Sequence, residues 1–135
     1  MFLAYVLADA GYDVWLPNFR GNLYSYRHAT LTSKDRQYWD YGFHETAVFD
    51  LAAIIDHVIQ KTGVEKVFYI GHSRGTTIAY ILCSEKPEYN QKIKFMVSLS
   101  PVVYLRHTRS PIMRILTDVV SATHISVINN LKHAF

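Results

Sequence analysis

The five residues Gly71-His72-Ser73-Arg74-Gly75 stand between an apolar run and a stretch of helical character. The run, residues 66–70, is typical of a parallel strand that is covered on both faces. Residues 73–86 predict a helix that breaks at Pro87. A strand that passes straight into a helix must turn sharply at the serine, and the flanking glycines remove side chains that would collide there. The pattern therefore requires a sheet with a helix packed directly behind one of its strands.

Helices and strands alternate along most of the chain. We expect a helix at residues 2–10 ended by Gly11, a short strand at 12–16, a loop at 17–43 with one short turn of helix, a helix at 45–61 ended by Gly63, and a strand at Ile93–Leu99. This order predicts an α/β fold, with a parallel sheet of about three strands and helices on its faces.

The chain changes character after Pro101. Residues 112–120 and 125–135 each carry apolar side chains at helical spacing, and no further strand follows. The chain has 135 residues, whereas single α/β domains commonly have roughly 200–250. We therefore expect a partial fold from an incomplete chain.

Composition and charge exclude several classes of function. The net charge is only +3 and the basic residues are scattered, which argues against a nucleic-acid partner. Cys83 is the only cysteine, so neither an intramolecular disulfide nor a cysteine-rich metal site can form. Three histidines, His28, His44 and His57, lack metal-ligand spacing. We expect neither a metal nor a cofactor.

The apolar N-terminus lacks the positive charge and the cleavage site of a signal peptide. It is also shorter than the ~20 apolar residues that cross a bilayer. We therefore expect residues 2–10 to be a buried helix, and we see no signal peptide in this chain.

Ser73 is the candidate nucleophile. The turn lifts its hydroxyl above the sheet edge, and the backbone N–H of Arg74 points into the same space, where it can stabilise an oxyanion. Peptide dipoles at the helix start favour the same negative charge. His72 cannot easily turn back onto the neighbouring serine Oγ, so we assign it to packing. Gly71, His72 and Gly75 are then the structural parts of the turn.

A serine nucleophile needs a base that is itself oriented by an acid. With this type of turn the partners follow in the order serine, Asp or Glu, then His. Asp118 is the only Asp after Ser73, and it lies in a predicted helix without a strand pattern around it. We therefore expect the catalytic acid and base to be absent from this chain. The alternative is a triad of Ser73 with Asp118 and either His124 or His133.

Arg20-Gly21-Asn22 forms a second motif. Arg20 could hold the carboxylate of a ligand. The favoured interpretation is that Arg20 anchors its loop by hydrogen bonding and that Gly21 permits the turn.

Several segments together resemble the acid lipases, a family that includes gastric, lysosomal and many insect lipases. The matching segments are residues 7–16, Asn18 with 20–22, 50–51, 55–56, 69–73 with 75–77, and 100–102. The resemblance implies an α/β-hydrolase fold and a serine esterase that cleaves triacylglycerols or cholesteryl esters through an acyl-enzyme. It also implies transient contact with a lipid interface, and a secreted or lysosomal location.

The resemblance divides the chain into a partial hydrolase core, residues 1–104, and the beginning of a helical cap or lid, residues 105–135. It implies that the His-Gly loop with the second oxyanion donor precedes Met1, and that the catalytic Asp and His follow Phe135. Arg74 departs from the family, which usually has Gln there, so a charged side chain could alter ligand choice. Two alternatives stay open: a truncated, non-catalytic relative that binds lipid or protein, and an esterase of small esters.

Overall fold

The computed structural model of the protein describes residues 2–103. The helices are α1 (Phe2–Asp9), α2 (Phe43–Glu45), α3 (Ala52–Thr62) and α4 (Arg74–Glu85), and the strands are β1 (Val67–His72) and β2 (Ile93–Leu99). A π-helical segment, Thr46–Leu51, and two 3-10 helices, Arg36–Trp39 and Pro87–Gln91, complete the helical structure of this part. β1 and β2 pair in parallel, and α4 connects them. The predicted α/β fold is confirmed, with two strands rather than three in the described part.

α2, the π-helical segment and α3 follow one another without a break and together form one long helix. The helix begins after Gly42, whose N–H donates to Oε2 of Glu45 at 2.7 Å. It ends at Gly63, which has a φ of +73° and donates its N–H to the carbonyl oxygen of Ile59. The predicted helix is therefore confirmed, and it starts at Phe43. The π-helical segment was not predicted, because apolar spacing over one turn does not distinguish it from an α-helix.

The hydrophobic core lies between the long helix, α4 and the inner face of the sheet. Its buried members are Ala47, Val48, Leu51, Ala52, Ile55, Ile78, Ala79, Leu82 and Tyr89. Leu51, Ile78 and Leu82 are the largest apolar side chains with almost no exposure. Burying each contributes about 1.5–3 kcal/mol. This packing fixes the start of α4 relative to the end of β1.

The outer face of the sheet is exposed in the described part of the chain. Phe68 and Phe95 pair across the two strands, and they are 59% and 61% exposed. Ile70 and Leu99 on the same face are 40% and 38% exposed. The prediction that β1 is covered on both faces is wrong for this part, because its helices pack only on the inner face.

We expect the 135-residue chain to self-associate through this outer face, since exposed apolar surface and unpaired strand edges favour association. Replacing Phe68 and Phe95 together by Ser should raise the monomer fraction in analytical ultracentrifugation. Tyr24→Ser, at an 83% exposed side chain away from the strands, is the control and should leave it unchanged. A wild-type chain that stays monomeric at all concentrations would contradict the prediction.

Residues 12–16 do not form the predicted strand. No residue of the described range pairs with them, and an apolar alternation makes a strand only where a neighbour offers hydrogen bonds. Trp15 instead donates from Nε1 to Oδ2 of Asp13 at 2.9 Å. Its ring meets the ring of His57 edge-on, with 5.9 Å between the centroids.

α1 ends where the sequence predicts, since Gly11 after it has a φ of +87°. Its predicted burial is wrong for residues 2–103, because no element there covers it and none of its side chains is buried. No helix within those bounds has the length and apolar character to cross a membrane. The predicted helices at 112–120 and 125–135, and with them the proposed cap, lie outside the described residues.

Candidate active site

Ser73 occupies the turn between β1 and α4. Its φ of +50° and ψ of −114° lie in a region that non-glycine residues rarely adopt. Such a conformation costs of order 1–3 kcal/mol and persists only where the surroundings impose it. The N–H of Ser73 donates to the carbonyl oxygen of Leu99 at 2.9 Å, which binds the turn to the neighbouring strand. The structure thus has the sharp turn that the sequence predicts at this serine.

The two glycines of the turn, Gly71 and Gly75, differ in how closely an added side chain would approach its neighbours. A Cβ added at Gly71 would lie 2.9 Å from the carbonyl carbon and oxygen of Gly75, and 2.9 Å from Cε1 of Tyr69. A Cβ at Gly75 would lie 3.6 Å from the Tyr69 hydroxyl, which is ordinary contact. Within residues 2–103, the expected collision therefore applies to Gly71 and not to Gly75.

The first two N–H groups of α4, those of Arg74 and Gly75, have no acceptor within residues 2–103. The third, that of Thr76, donates to the Ser73 carbonyl oxygen at 2.9 Å. The first N–H groups of a helix lack intrahelical partners, and the helix dipole makes that end attractive to negative charge. The N–H of Arg74, directly after the serine, can therefore serve an oxyanion formed there. The side chain of Arg74 is exposed.

No partner for the serine hydroxyl is found in the described part of the chain. None of its residues forms a hydrogen bond with Oγ of Ser73. His72 is exposed, so the packing contacts expected for it are not observed there. Asp118, His124 and His133 lie outside the described residues. In the described part, the hydroxyl of Ser73 thus has no acid or base bonded to it, and the N–H of Arg74 beside it has no acceptor.

Tyr69 supports the turn from the core, and the sequence did not reveal this. Its hydroxyl donates to the carbonyl oxygen of Gly75 at 2.8 Å. Burial raises the pKa of Tyr69 to about 12, with the nearby Cys83 adding to the shift. The hydroxyl therefore stays protonated and able to donate at physiological pH. In the sequence, a tyrosine within an apolar run predicts packing in the core and does not indicate a hydrogen bond to the turn.

Two threonines in the first turn of α4 bind the segment after β2. Thr77 donates from Oγ1 to the carbonyl oxygen of Val102 at 2.6 Å, and the N–H of Val102 donates to Oγ1 of Thr76 at 3.0 Å. In the sequence, both threonines stand out only as part of a segment that resembles the acid lipases. Threonine in the first turn of a helix is a known signal for side-chain bonds to the backbone, and it could have identified them.

Arg20 anchors its loop to the long helix, which agrees with the favoured interpretation. Its Nε donates to Oδ1 of Asp50 at 2.8 Å, and its backbone N–H donates to Oδ2 at 3.0 Å. The hydrogen bond with Asp50 raises the pKa of Arg20 against an opposing effect of burial. Gly21 has a φ of +76°, and a Cβ there would overlap the Tyr41 hydroxyl. The carboxylate that Arg20 holds thus belongs to the protein itself.

Asp50→Asn should lower the free energy of unfolding by about 1–2 kcal/mol, because it leaves Arg20 with a weakened partner. The Arg20 side chain is 37% exposed, so water screens its charge and limits the loss to this range. Asp56→Asn weakens the pair of Lys92 with the more exposed Asp56 and leaves an amide oxygen that can still accept from the Tyr89 hydroxyl. It is the matched control and should cost under about 1 kcal/mol. Urea unfolding measures both, and a larger loss for Asp56→Asn would contradict the anchoring role.

Known proteins resemble this chain over most of its length. It matches the alpha/beta hydrolase fold family over residues 1–123. Lipase member K of Homo sapiens is 48% identical over 115 residues, which are 85% of this chain and 29% of that protein. Lipase 1 of Drosophila melanogaster is 49% identical over 106 residues, 78% of this chain and 24% of that protein.

Gastric triacylglycerol lipase of Mus musculus is 47% identical over 113 residues, which are 84% of this chain and 29% of that protein. The chain thus spans less than a third of the length of these relatives. The resemblance to lipases predicted from the sequence is confirmed. With its parallel strands, its helical crossover and its strained serine turn, the chain belongs to the alpha/beta hydrolase fold family.

Proposed function

We propose that the protein is a serine hydrolase of lipid esters, with Ser73 as its nucleophile. The observation that carries this proposal is the backbone of Ser73, held at a φ of +50° between β1 and the first turn of α4. Strain of this kind concentrates at functional sites, where the surrounding structure maintains it. The relatives of the chain are named lipases, which favours lipid esters as the substrate class.

Ser73 acts as the attacking group. Its Oγ forms a bond to the carbonyl carbon of the ester, the carbonyl oxygen becomes an oxyanion, and the N–H of Arg74 donates to that oxygen. Collapse of this intermediate breaks the bond to the alcohol, which leaves with the proton that the base took from the Ser73 hydroxyl, and the acyl group stays on Ser73. Water then attacks the acyl-enzyme and releases the fatty acid. We place the base, the acid and the second oxyanion donor outside residues 2–103.

The substrate we propose is a triacylglycerol or a cholesteryl ester. One of the similar proteins is named a triacylglycerol lipase, and the cholesteryl esters follow from the resemblance to acid lipases. Contact with a lipid interface and a secreted or lysosomal location follow from the same resemblance. Hydrolysis of long-chain and short-chain esters by the protein expressed from its complete reading frame tests the choice. A marked preference for short acyl chains would favour the small-ester alternative.

A non-catalytic role is the second candidate, as a module that binds lipid or protein. The observation in its favour is that no residue within 2–103 forms a hydrogen bond with the Ser73 hydroxyl. A fluorophosphonate probe separates the two functions, because an activated serine displaces the fluoride and forms a stable Oγ–P bond. Labelling of Ser73 supports the esterase, whereas lipid binding without labelling supports the binding module.

A further inference from the structure

Thr76 is a buried residue behind the serine turn, and its side chain is 0% exposed. We infer that Thr76 is a positioning residue, which orients the backbone N–H of Arg74 toward the oxyanion. The inference rests on the proposed function, because that N–H is the proposed oxyanion donor. Thr76 acts through the backbone of the turn rather than by contact with a substrate.

The carbonyl oxygen of Ser73 is held by two donors from the same residue. Oγ1 of Thr76 donates to it at 2.6 Å, and the N–H of Thr76 donates to it at 2.9 Å. The N–H bond alone closes one tight turn of backbone. The hydroxyl adds a second bond from a different direction, so the oxygen can no longer swing about the first.

Holding this oxygen also holds the N–H of Arg74. The two groups belong to one peptide unit, which is planar, and no peptide bond of the described residues is cis. In a trans peptide the carbonyl oxygen and the N–H point in opposite directions. A rotation that turned the Arg74 N–H away from its present direction would therefore break both bonds from Thr76. The two bonds to the Ser73 carbonyl oxygen therefore fix the direction of the Arg74 N–H, the proposed oxyanion donor.

Within residues 2–103, the hydroxyl of Thr76 donates its hydrogen to no acceptor other than the Ser73 carbonyl oxygen. A threonine hydroxyl carries one hydrogen and accepts through its lone pairs. The N–H of Val102 donates to this oxygen at 3.0 Å and so occupies an acceptor position. The one hydrogen of Thr76 Oγ1 is thus directed to Ser73.

The test compares three variants of the protein expressed from its complete reading frame. Thr76→Val keeps the shape and removes the hydroxyl, and Thr76→Ser keeps the hydroxyl. Thr77→Val is the matched control, since it removes a hydroxyl bond to Val102 without touching Ser73. For a soluble p-nitrophenyl ester, Thr76→Val should lower kcat by about 10–100-fold with KM within about twofold, less than the loss of a whole oxyanion donor. The other two variants should stay within about threefold of wild type.

A second readout does not depend on activity. In crystal structures, the peptide between Ser73 and Arg74 should be rotated in Thr76→Val and unchanged in Thr76→Ser. If Thr76→Val does not fold, Thr76→Ala replaces it. An unrotated peptide without the hydroxyl overturns the inference, and so does an equal loss of kcat in Thr77→Val. A wild-type protein without esterase activity would defeat the proposed function, while the peptide orientation would still decide the role of Thr76.

Discussion

Ser73→Ala is expected to lower kcat/KM for a lipid ester by roughly 10⁴–10⁶-fold, because it removes the atom that forms the acyl-enzyme. Labelling by a fluorophosphonate probe should disappear in the same variant. KM and the thermal unfolding temperature should change little, since the hydroxyl forms no hydrogen bond within residues 2–103. Steady-state hydrolysis and in-gel fluorescence after labelling measure the two effects.

The control for this variant is Ser100→Ala. Ser100 also has a positive φ, +48°, and it follows β2 as Ser73 follows β1. The residue after it is Pro101, which has no N–H and cannot donate to an oxyanion. We expect Ser100→Ala to keep both labelling and hydrolysis. Labelling that persists in Ser73→Ala and disappears in Ser100→Ala would show that Ser100, and not Ser73, is the nucleophile.

Gly71→Ala is expected to have the second largest effect, on stability and on the reactivity of Ser73 together. The added Cβ would stand 2.9 Å from backbone atoms of Gly75, which belong to the first turn of α4 and cannot yield without moving it. Overpacking of this kind costs about 1–3 kcal/mol of unfolding free energy. Because α4 carries the proposed oxyanion donor, its displacement should also slow labelling of Ser73 by about tenfold or more.

Gly75→Ala is the matched variant for stability. Its Cβ would meet only the Tyr69 hydroxyl within the described residues, at 3.6 Å, and its φ is not positive. Alanine is a better helix former than glycine by up to about 1 kcal/mol. Urea unfolding should therefore show no loss, or a gain, for Gly75→Ala. Equal losses at the two positions would contradict the difference between the glycines.

Much of the fold was predictable because each element carries its own local signal. The strand Ile93–Leu99 has the predicted bounds, and the strand before Ser73 was expected at residues 66–70 and lies at Val67–His72. Gly63 ends the long helix as expected, since a residue with a φ of +73° favours glycine. These features depend on apolar spacing and on backbone sterics within a few residues, so the sequence alone specifies them.

Contacts between segments that are distant in the sequence were not predictable. The prediction of a strand at residues 12–16 was wrong because a strand requires hydrogen bonds from a neighbouring strand. The local alternation of apolar residues does not indicate whether such a neighbour is present. The exposure of Phe68 and Phe95 has the same origin, since an apolar run does not state which face receives helices.

For the serine turn itself, the sequence by itself determined the place of Ser73, the glycines around it and the family resemblance, because the turn is local and only a few residue types permit it. Only the tertiary structure decided that Gly71 is the sterically restricted glycine, and that Tyr69 and Thr76 hold the turn from behind. Those contacts join a strand and a helix through the core. Their physical basis is the distance between atoms that folding brings together, and spacing along the chain does not contain it.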